Sequence, residues 1–208
     1  MAAPSTTTPG PVSDWDIALG ADDLVIVAGI PGAGKSTVLH NLDNHASAVI
    51  LDSEHVAHRL AALLPSWLPY RWYRPLVHLA HRWRIWLVAL RACGPVVAHI
   101  PATRRRTRVL LLCIGVCARR TRRMLWLDVD PADAWRGQVE RGRVSSPRSF
   151  ARHVRDARTV RCALAAGRGL PGWHSARLLP RPECGTRLVL RPADAPRAQH
   201  ATSSAGPG

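Results

Sequence analysis

Lysine is almost absent from this chain of 208 residues, which carries a single lysine, Lys35, among its 29 Lys and Arg residues. Because Arg supplies nearly all of the basic charge, that charge reflects a general preference for Arg as much as a need to bind a polyanion. The formal net charge of +15 is compatible with an anionic partner but does not require one. We expect a solvated basic surface, with nucleic acid as an alternative partner that the composition does not favour.

Long apolar runs and paired cysteines are also missing. The longest apolar stretches, such as residues 24–30 and 109–116, fall far short of the ~20 residues that cross a bilayer, and no basic-then-apolar signal segment is seen at the N-terminus. The five cysteines are scattered, without a Cys-x-x-Cys pair or a Cys/His cluster of zinc spacing. We expect a soluble, cytoplasmic protein with reduced thiols and no membrane partner.

The two ends of the chain differ in composition from its middle. Residues 1–11 and roughly 192–208 are dominated by Ala, Pro, Ser, Thr and Gly, a composition that buries little apolar surface. We therefore predict disordered segments over residues 1–20 and 183–208. Residues 21–182 are predicted to form a single folded domain.

Between these ends, short apolar runs alternate with helical patterns. Strands are predicted at residues 24–28, 48–51, 95–99, 124–129 and 176–179, and helices at residues 36–45, 54–64, 74–91, 103–117, 131–140 and 149–166. Such alternation predicts an α/β fold, with a five-stranded, mainly parallel sheet covered by helices on both faces. Ligands of such folds bind at the carboxyl ends of the strands.

The helix predicted over residues 74–91 has an apolar stripe that should pack on the sheet. The stripe consists of Leu76, Leu79, Ala80, Trp83, Trp86, Leu87 and Leu90. Aromatic residues interleave with arginines from Trp67 to Trp86, a pattern that would also suit base stacking and phosphate contacts in a single-stranded nucleic-acid site. We favour the packing interpretation.

A glycine-rich loop directly follows the first of these strands. Residues 29–37 read Gly-Ile-Pro-Gly-Ala-Gly-Lys-Ser-Thr, which is the G-x-x-x-x-G-K-[ST] pattern of a Walker A loop. Glycines let successive backbone N–H groups cradle phosphate oxygens, the Lys35 ammonium reaches the terminal phosphates, and the Ser36 hydroxyl ligates Mg²⁺. The pattern predicts a nucleoside triphosphate site made of Gly29, Pro31, Gly32, Ala33, Gly34, Lys35, Ser36 and Thr37.

Phosphoryl transfer also needs a group that orients the acceptor and cations that offset the developing charge. Asp52 stands at the end of the second predicted strand and is our candidate base or acceptor-positioning residue. Alternatively, Asp52 and Ser53 only cap the next helix. Arg141 and Arg143 follow the fourth strand and are candidates for a short Arg-rich lid, or else belong to a solvated basic helix.

These motifs resemble the bacterial P-loop kinase-like proteins called AAA family ATPases or ATP-binding proteins, relatives of polynucleotide kinase, zeta toxin and small-metabolite kinases. The resemblance covers about residues 24–181. It implies a three-layer P-loop NTPase fold with a five-stranded sheet and a short Arg-bearing lid, and ATP-dependent phosphorylation of a hydroxyl. Lys35 and Ser36 would hold ATP and Mg²⁺, Asp52 would be the acceptor-side carboxylate, and Arg141 with Arg143 would belong to the lid.

The chain departs from this family pattern after the third predicted strand. Such relatives often carry an Asp there that helps to hold Mg²⁺ or its water, whereas this sequence reads His99-Ile100-Pro101. Imidazole is a poor ligand for a hard cation. Three functions therefore stay open: a kinase for a small molecule or a polynucleotide end with Asp52 as base, an ATP-binding switch or slow ATPase, and a basic nucleic-acid-binding module. The sequence favours the kinase.

Overall fold

The computed structural model describes residues 14–65, 67–140, 142, 144–181 and 186–194. Within these residues, eight strands and six helices follow one another. They are β1 (Trp15–Leu19), β2 (Asp23–Ala28), α1 (Lys35–His40), β3 (Leu42–Asn44), β4 (Val49–Leu51), α2 (Ser53–Leu63), α3 (Tyr70–Arg91), β5 (Val96–His99), α4 (Arg105–Cys117), β6 (Thr121–Leu127), α5 (Pro131–Val139), α6 (Pro147–Ala165), β7 (Ser175–Leu179) and β8 (Leu188–Pro192).

The central sheet has five strands in the order β4-β5-β2-β6-β7, and every neighbouring pair is parallel. These are the five strands that the sequence predicts, so the α/β class and the five-stranded parallel sheet are confirmed. Every residue of β2 is buried, as expected for the central strand of a sheet covered on both faces. The glycine-rich loop therefore leaves the middle of the sheet, between the carboxyl ends of β5 and β6.

The helix predicted over residues 36–45 is too long. The helix α1 ends at His40, and the chain then forms the short strand β3. The early end of α1 allows β3 to pair with β8, and Asn44 then fixes the turn after β3, because its side chain donates to the Ala48 carbonyl and accepts from the Ala48 N–H, both at 2.8 Å. An Asn that bonds to nearby backbone in this way favours a turn over a continued helix.

A second parallel sheet, of order β1-β8-β3, corrects the predicted domain limits. The segments predicted to be disordered, residues 1–20 and 183–208, contain β1 and β8. Alternate residues of β1 point inwards, and Trp15, Ile17 and Leu19 join the same buried core as the central sheet. Leu188 and Leu190 of β8 are fully buried in that core. Both ends of the described chain thus belong to the folded domain.

The apolar stripe predicted for α3 is partly wrong, because Leu76, Leu79, Trp83 and Leu90 are exposed. The buried face of α3 consists of Val77, His81, Ile85 and Ala89. Polar contacts fix this rotation: His81 Nε2 donates to the His99 carbonyl at 2.9 Å, and Arg120 Nε donates to the Ala89 carbonyl at 2.8 Å. The spacing of apolar residues in the sequence does not reveal such hydrogen bonds.

Two further expectations can be compared with the described part of the chain. None of its helices combines the length and the apolar character needed to cross a membrane. Cys93, Cys113, Cys117 and Cys162 are free and exposed, whereas Cys184 lies outside the described residues.

Candidate functional site

The glycine-rich loop connects β2 to α1 and needs the glycines for its shape. Gly34 is the N-cap of α1 and has a φ of 80°, a left-handed conformation that glycine adopts without cost. Gly32 has a φ of 92°, and a Cβ there would lie only 1.9 Å from the carbonyl oxygen of Ala134 in α5. The missing side chain therefore allows α5 to pack directly on the loop.

Lys35 is held inside this loop. Only 4% of its surface is exposed, and its ammonium Nζ donates to the carbonyl oxygens of Gly29 at 3.1 Å and Ile30 at 2.6 Å. The ammonium thus lies at the loop itself, where an anionic ligand would meet it. This is the position that the Walker A pattern predicts for a lysine that contacts phosphate.

Gln138 of α5 connects the loop to the segment that follows α5. Its Nε2 donates to the Pro31 carbonyl at 3.1 Å, and its Oε1 accepts from the Ser145 N–H at 3.0 Å. The side chain is buried, with 4% of the residue exposed. Gln138 is not predicted as a site residue, because an isolated Gln in an amphipathic helix carries no distinctive sequence pattern. Arg141 and Arg143, the candidate lid arginines, lie outside the described residues.

Asp52 is the N-cap of α2, as one of the two sequence interpretations predicts. Its Oδ1 accepts from the Glu54 N–H at 3.0 Å and also from His99 Nδ1 at 3.1 Å. Burial raises the pKa of Asp52, but the hydrogen bonds from His99 and from the Glu54 N–H outweigh this effect and hold the pKa well below its ordinary value. Asp52 is therefore ionised, and its Oδ1 also accepts a longer hydrogen bond of 3.5 Å from the Ser53 hydroxyl.

His99, at the carboxyl end of β5, occupies the place where the sequence lacks a carboxylate. It is 8% exposed, and its backbone carbonyl accepts from His81 Nε2 at 2.9 Å. Burial lowers the pKa of His99, the hydrogen bond to Asp52 opposes that shift, and the charge of Lys35 lowers the pKa further. The net result is a lowered pKa and a neutral ring at neutral pH.

Three more buried or half-buried histidines, not predicted as site residues, have strongly shifted pKa values. Burial is the main reason that the pKa values of His78, His81 and His153 fall to about 4. His153 of α6 also forms a 2.6 Å hydrogen bond through Nδ1 to the hydroxyl of Thr103. All three rings are neutral at physiological pH, so they offer hydrogen bonds rather than charge.

Two cavities adjoin the loop, and Gly32 and Gly34 line both of them. The larger one has a volume of about 680 Å³ and reaches Lys35 and Ser36. Beyond the loop it is lined by Glu54, His58, Tyr73, Arg74, His78 and His99. The smaller one, of about 390 Å³, is lined by Thr37, Asp133, Arg136 and Arg181 among others. Ser53 and Glu54 line the larger cavity, whereas Asp52 does not.

A metal at this site would depend on the nucleotide. In the ranges that the structure describes, no group of three or more His, Cys, Asp or Glu side chains could hold a metal ion. The hydroxyl of Ser36, half-buried at the start of α1, is an oxygen ligand of the kind that Mg²⁺ prefers. Mg²⁺ commonly completes its coordination with substrate phosphates and water, so this donor set fits a metal that arrives with a nucleotide.

Comparison with known proteins agrees with this geometry. The family model described as AAA domain matches residues 24–163, more than half of the chain. No curated protein sequence matches at a significant level. Among solved structures, a putative kinase from Chloroflexus aurantiacus is 14% identical and has a TM-score of 0.53, with 77% of this chain and 86% of that chain covered.

Two other solved structures are similar at comparable identity. One comes from the PezAT toxin–antitoxin system of Streptococcus pneumoniae, with 11% identity, a TM-score of 0.54, and 83% of this chain and 74% of that chain covered. The other is a gluconokinase from Sinorhizobium meliloti, with 14% identity, a TM-score of 0.48, and 80% and 86% covered. At such identities the likeness shows the fold alone. The chain shares its fold with these structures and belongs to the AAA domain family.

Proposed function

We propose that the protein is a kinase that binds ATP with Mg²⁺ and transfers the γ-phosphate to a hydroxyl group. The loop over residues 29–37 binds the phosphates, with Lys35 at the β- and γ-phosphates and the Ser36 hydroxyl on Mg²⁺. The nucleoside lies in the smaller cavity beside Thr37, and the acceptor in the larger one. Asp52 acts on the acceptor side, and Arg141 and Arg143 belong to the lid.

One observation carries this proposal: the larger cavity begins at Lys35 and Ser36 and extends well past them. Its volume of about 680 Å³ lies in the range of small-molecule sites. A switch or slow ATPase needs room only for a nucleotide and water. A kinase needs a second compartment next to the γ-phosphate, and we assign this cavity to that role.

The lining of the larger cavity favours an acceptor that carries negative charge. Arg74 is half-buried there, and it makes no hydrogen bond or ion pair with the described residues. An Arg fork without a partner matches a carboxylate or phosphate of a hydroxyl compound. We expect Arg74→Met to raise the KM for such an acceptor at least 10-fold and to leave the KM for ATP within about 2-fold.

A second candidate acceptor is a polynucleotide end, favoured by the exposed aromatic residues on and just before α3. Trp67, Trp72 and Trp83 are 77%, 69% and 57% exposed on and just before α3. Exposed aromatic rings on a strongly basic protein can stack bases while arginines contact the backbone.

The test is to incubate the protein with γ-labelled ATP, a panel of anionic hydroxyl compounds, and single-stranded DNA and RNA, and to ask where the label goes. Label in a small acceptor is the expected result, and Asp52→Asn should reduce its formation while ATP still binds. Label on polynucleotide ends would instead select the second acceptor. Label found only in free phosphate would contradict the kinase and leave the switch or slow ATPase.

A further inference from the structure

His99 and Asp52 form a polar pair at the carboxyl end of the sheet. Because Asp52 is ionised, it can only accept a hydrogen bond, so the 3.1 Å contact places a proton on His99 Nδ1. In a neutral imidazole the other nitrogen then carries a lone pair. Asp52 thus fixes the tautomer of His99, with the proton on Nδ1 and the lone pair on Nε2.

The lone pair of Nε2 belongs to a side chain that lines the larger cavity. His99 lies in register with Val27, two residues before the phosphate loop, and the Gly29 N–H donates to the Pro101 carbonyl at 3.2 Å. The charge of Lys35 is close enough to lower the pKa of His99. His99 therefore stands where the terminal phosphate and the acceptor would meet.

The charged and titratable groups around His99 come from three elements. Asp52 and Glu54 approach from the start of α2, Lys35 from α1, and His81 from α3. His81 holds the backbone of His99 rather than its ring, through the hydrogen bond from Nε2 to the His99 carbonyl. The ring is thus held by Asp52 and the backbone by His81.

Asp52 itself is poorly placed to take a proton from an acceptor. It is 8% exposed, it does not line the cavity, and its Oδ1 already receives three hydrogen bonds, from Ser53, Glu54 and His99. A carboxylate stabilised in this way is a weak base. The neutral imidazole next to it is a better match to the ideal base near neutral pH.

We propose that His99 accepts the proton of the acceptor hydroxyl, and that Asp52 is a positioning residue that holds the His99 ring. This assignment rests on the kinase function proposed above. The acceptor O–H bond breaks and its proton goes to His99 Nε2, while the acceptor oxygen forms a bond to the γ-phosphorus. The bond from the γ-phosphorus to the β–γ bridging oxygen breaks, and its electron pair leaves with ADP. The Nδ1 proton stays on His99, and Asp52 stabilises the imidazolium.

His99→Asn tests this role, because Asn can still donate an N–H to Asp52 but has no basic nitrogen. We expect ATP affinity within about 2-fold of the wild type and a kcat lower by about 10²–10³-fold. In the wild type, kcat should rise with pH through an ionisation of the His99–Asp52 pair, with a midpoint below about 6.5 because burial lowers the pKa of His99. That rise should vanish in His99→Asn. His45→Asn, in an exposed turn, is the matched control and should keep both kcat and the pH profile.

Asp52→Asn provides a second, independent variant. It should lower kcat and distort the same pH profile, and the double variant should be no slower than His99→Asn alone, as expected for two residues that act as one unit. Imidazole added to His99→Ala should restore part of the rate.

The outcomes separate the two proposals. If no acceptor is labelled by the wild type, the kinase function itself fails, and the assignment of His99 fails with it. If transfer occurs but His99→Asn keeps the wild-type kcat and pH profile, the kinase stands and His99 is not the base. Loss of ATP binding in proportion to loss of rate would assign His99 a structural role and overturn the proposal.

Discussion

At the level of single residues, the phosphate loop depends on the absence of a side chain at Gly32 as much as on the side chain of Lys35. Gly32 lies directly beneath the Ala134 carbonyl, and its φ of 92° belongs to the region that other residues avoid. Lys35 is buried three residues further along the chain and donates to carbonyls of the same loop. The loop, its lysine and α5 therefore form one packed unit.

Gly32→Ala should disrupt this unit. The added Cβ would lie 1.9 Å from the Ala134 oxygen, so α5 or the loop must move. We expect a loss of about 1–3 kcal/mol in the free energy of unfolding and at least 10-fold weaker ATP binding. Thermal denaturation and calorimetric titration measure the two effects.

Gly94→Ala is the matched control for this substitution. A Cβ at Gly94 would meet nothing closer than the Ser47 carbonyl at 3.9 Å. Its stability and ATP affinity should stay close to the wild type, within about 0.5 kcal/mol. Equal effects of the two substitutions would mean that the close approach of α5 does not matter.

Part of the candidate site could be predicted from the sequence, because its residues are contiguous. The Walker A residues share one short loop, and the capping role of Asp52 follows from its place before a helix. His99, Gln138 and His153 were not identified as site residues, because their roles depend on contacts with residues far away in sequence. In the sequence, His99 stood out only because a carboxylate was expected there. Its hydrogen bond joins it to Asp52, 47 positions earlier in the chain.

At the level of elements, α3 shows where apolar periodicity is ambiguous. This helix carries apolar side chains on more than one face, and the spacing alone does not say which face is buried. Two hydrogen bonds decide which face is buried. His81 donates to the His99 carbonyl at the end of β5, and Arg120 donates to the Ala89 carbonyl. The predicted stripe therefore points largely to solvent.

Ile85→Ala and Leu79→Ala test the observed rotation of α3. Ile85 is fully buried, so its truncation should cost about 2–5 kcal/mol in unfolding free energy. Leu79 is 64% exposed, so its truncation should change stability by less than about 0.5 kcal/mol. Denaturant unfolding measures both. The reverse order of the two losses would favour the face that the sequence pattern predicts.

The central sheet was predictable for a different reason. Its strands are buried on both faces, so each appears as a short continuous apolar run between helical patterns. The strands β1 and β8 are short and flanked by Pro-, Ala- and Arg-rich sequence, which suggested disorder. The alternation of Trp15, Ile17 and Leu19 was the one available signal, and only pairing with the distant β8 shows that it forms a strand.

At the level of the whole molecule, β8 joins the two ends of the described chain by pairing with β1 and β3. A chain that ends after Arg181 would lose this strand and its buried Leu188 and Leu190. Burying two such side chains contributes about 4 kcal/mol, a large share of the stability of an ordinary domain. We expect a Tm lower by at least about 10 °C, or no cooperative unfolding.

A chain that ends after Asp194 is the matched control for this truncation. It keeps β8 and removes only residues 195–208, which lie outside the described part. Its Tm should equal that of the full chain. If truncation after Arg181 were equally harmless, the second sheet would not contribute to stability.

Buried histidines make stability depend on pH. The folded-state pKa values of His78, His81 and His153 are about 4, against about 6.5 in an unfolded chain. Between these values the unfolded state binds more protons, so stability is complete above about pH 6.5 and declines as the pH falls towards 4. His81, almost fully buried, contributes about 3 kcal/mol of that loss.

His81→Gln isolates this contribution, because Gln can still donate a hydrogen bond but does not titrate in this range. Between pH 7 and 4.5, the variant should lose less stability than the wild type in urea unfolding. His45→Gln, at an exposed position, should keep the wild-type slope. The depressed pKa of Asp52 acts only below about 3.9, outside this window. An unchanged slope in His81→Gln would show that His81 is not buried as a neutral ring.

The most direct test of the account is the rate of ADP formation from ATP, measured with and without an anionic hydroxyl acceptor in the wild type and in Lys35→Met. A kinase whose phosphate loop opens into an acceptor cavity predicts ADP formation that the acceptor stimulates at least 10-fold in the wild type, and none in Lys35→Met. A rate that no acceptor changes, or a Lys35→Met variant as active as the wild type, would contradict it.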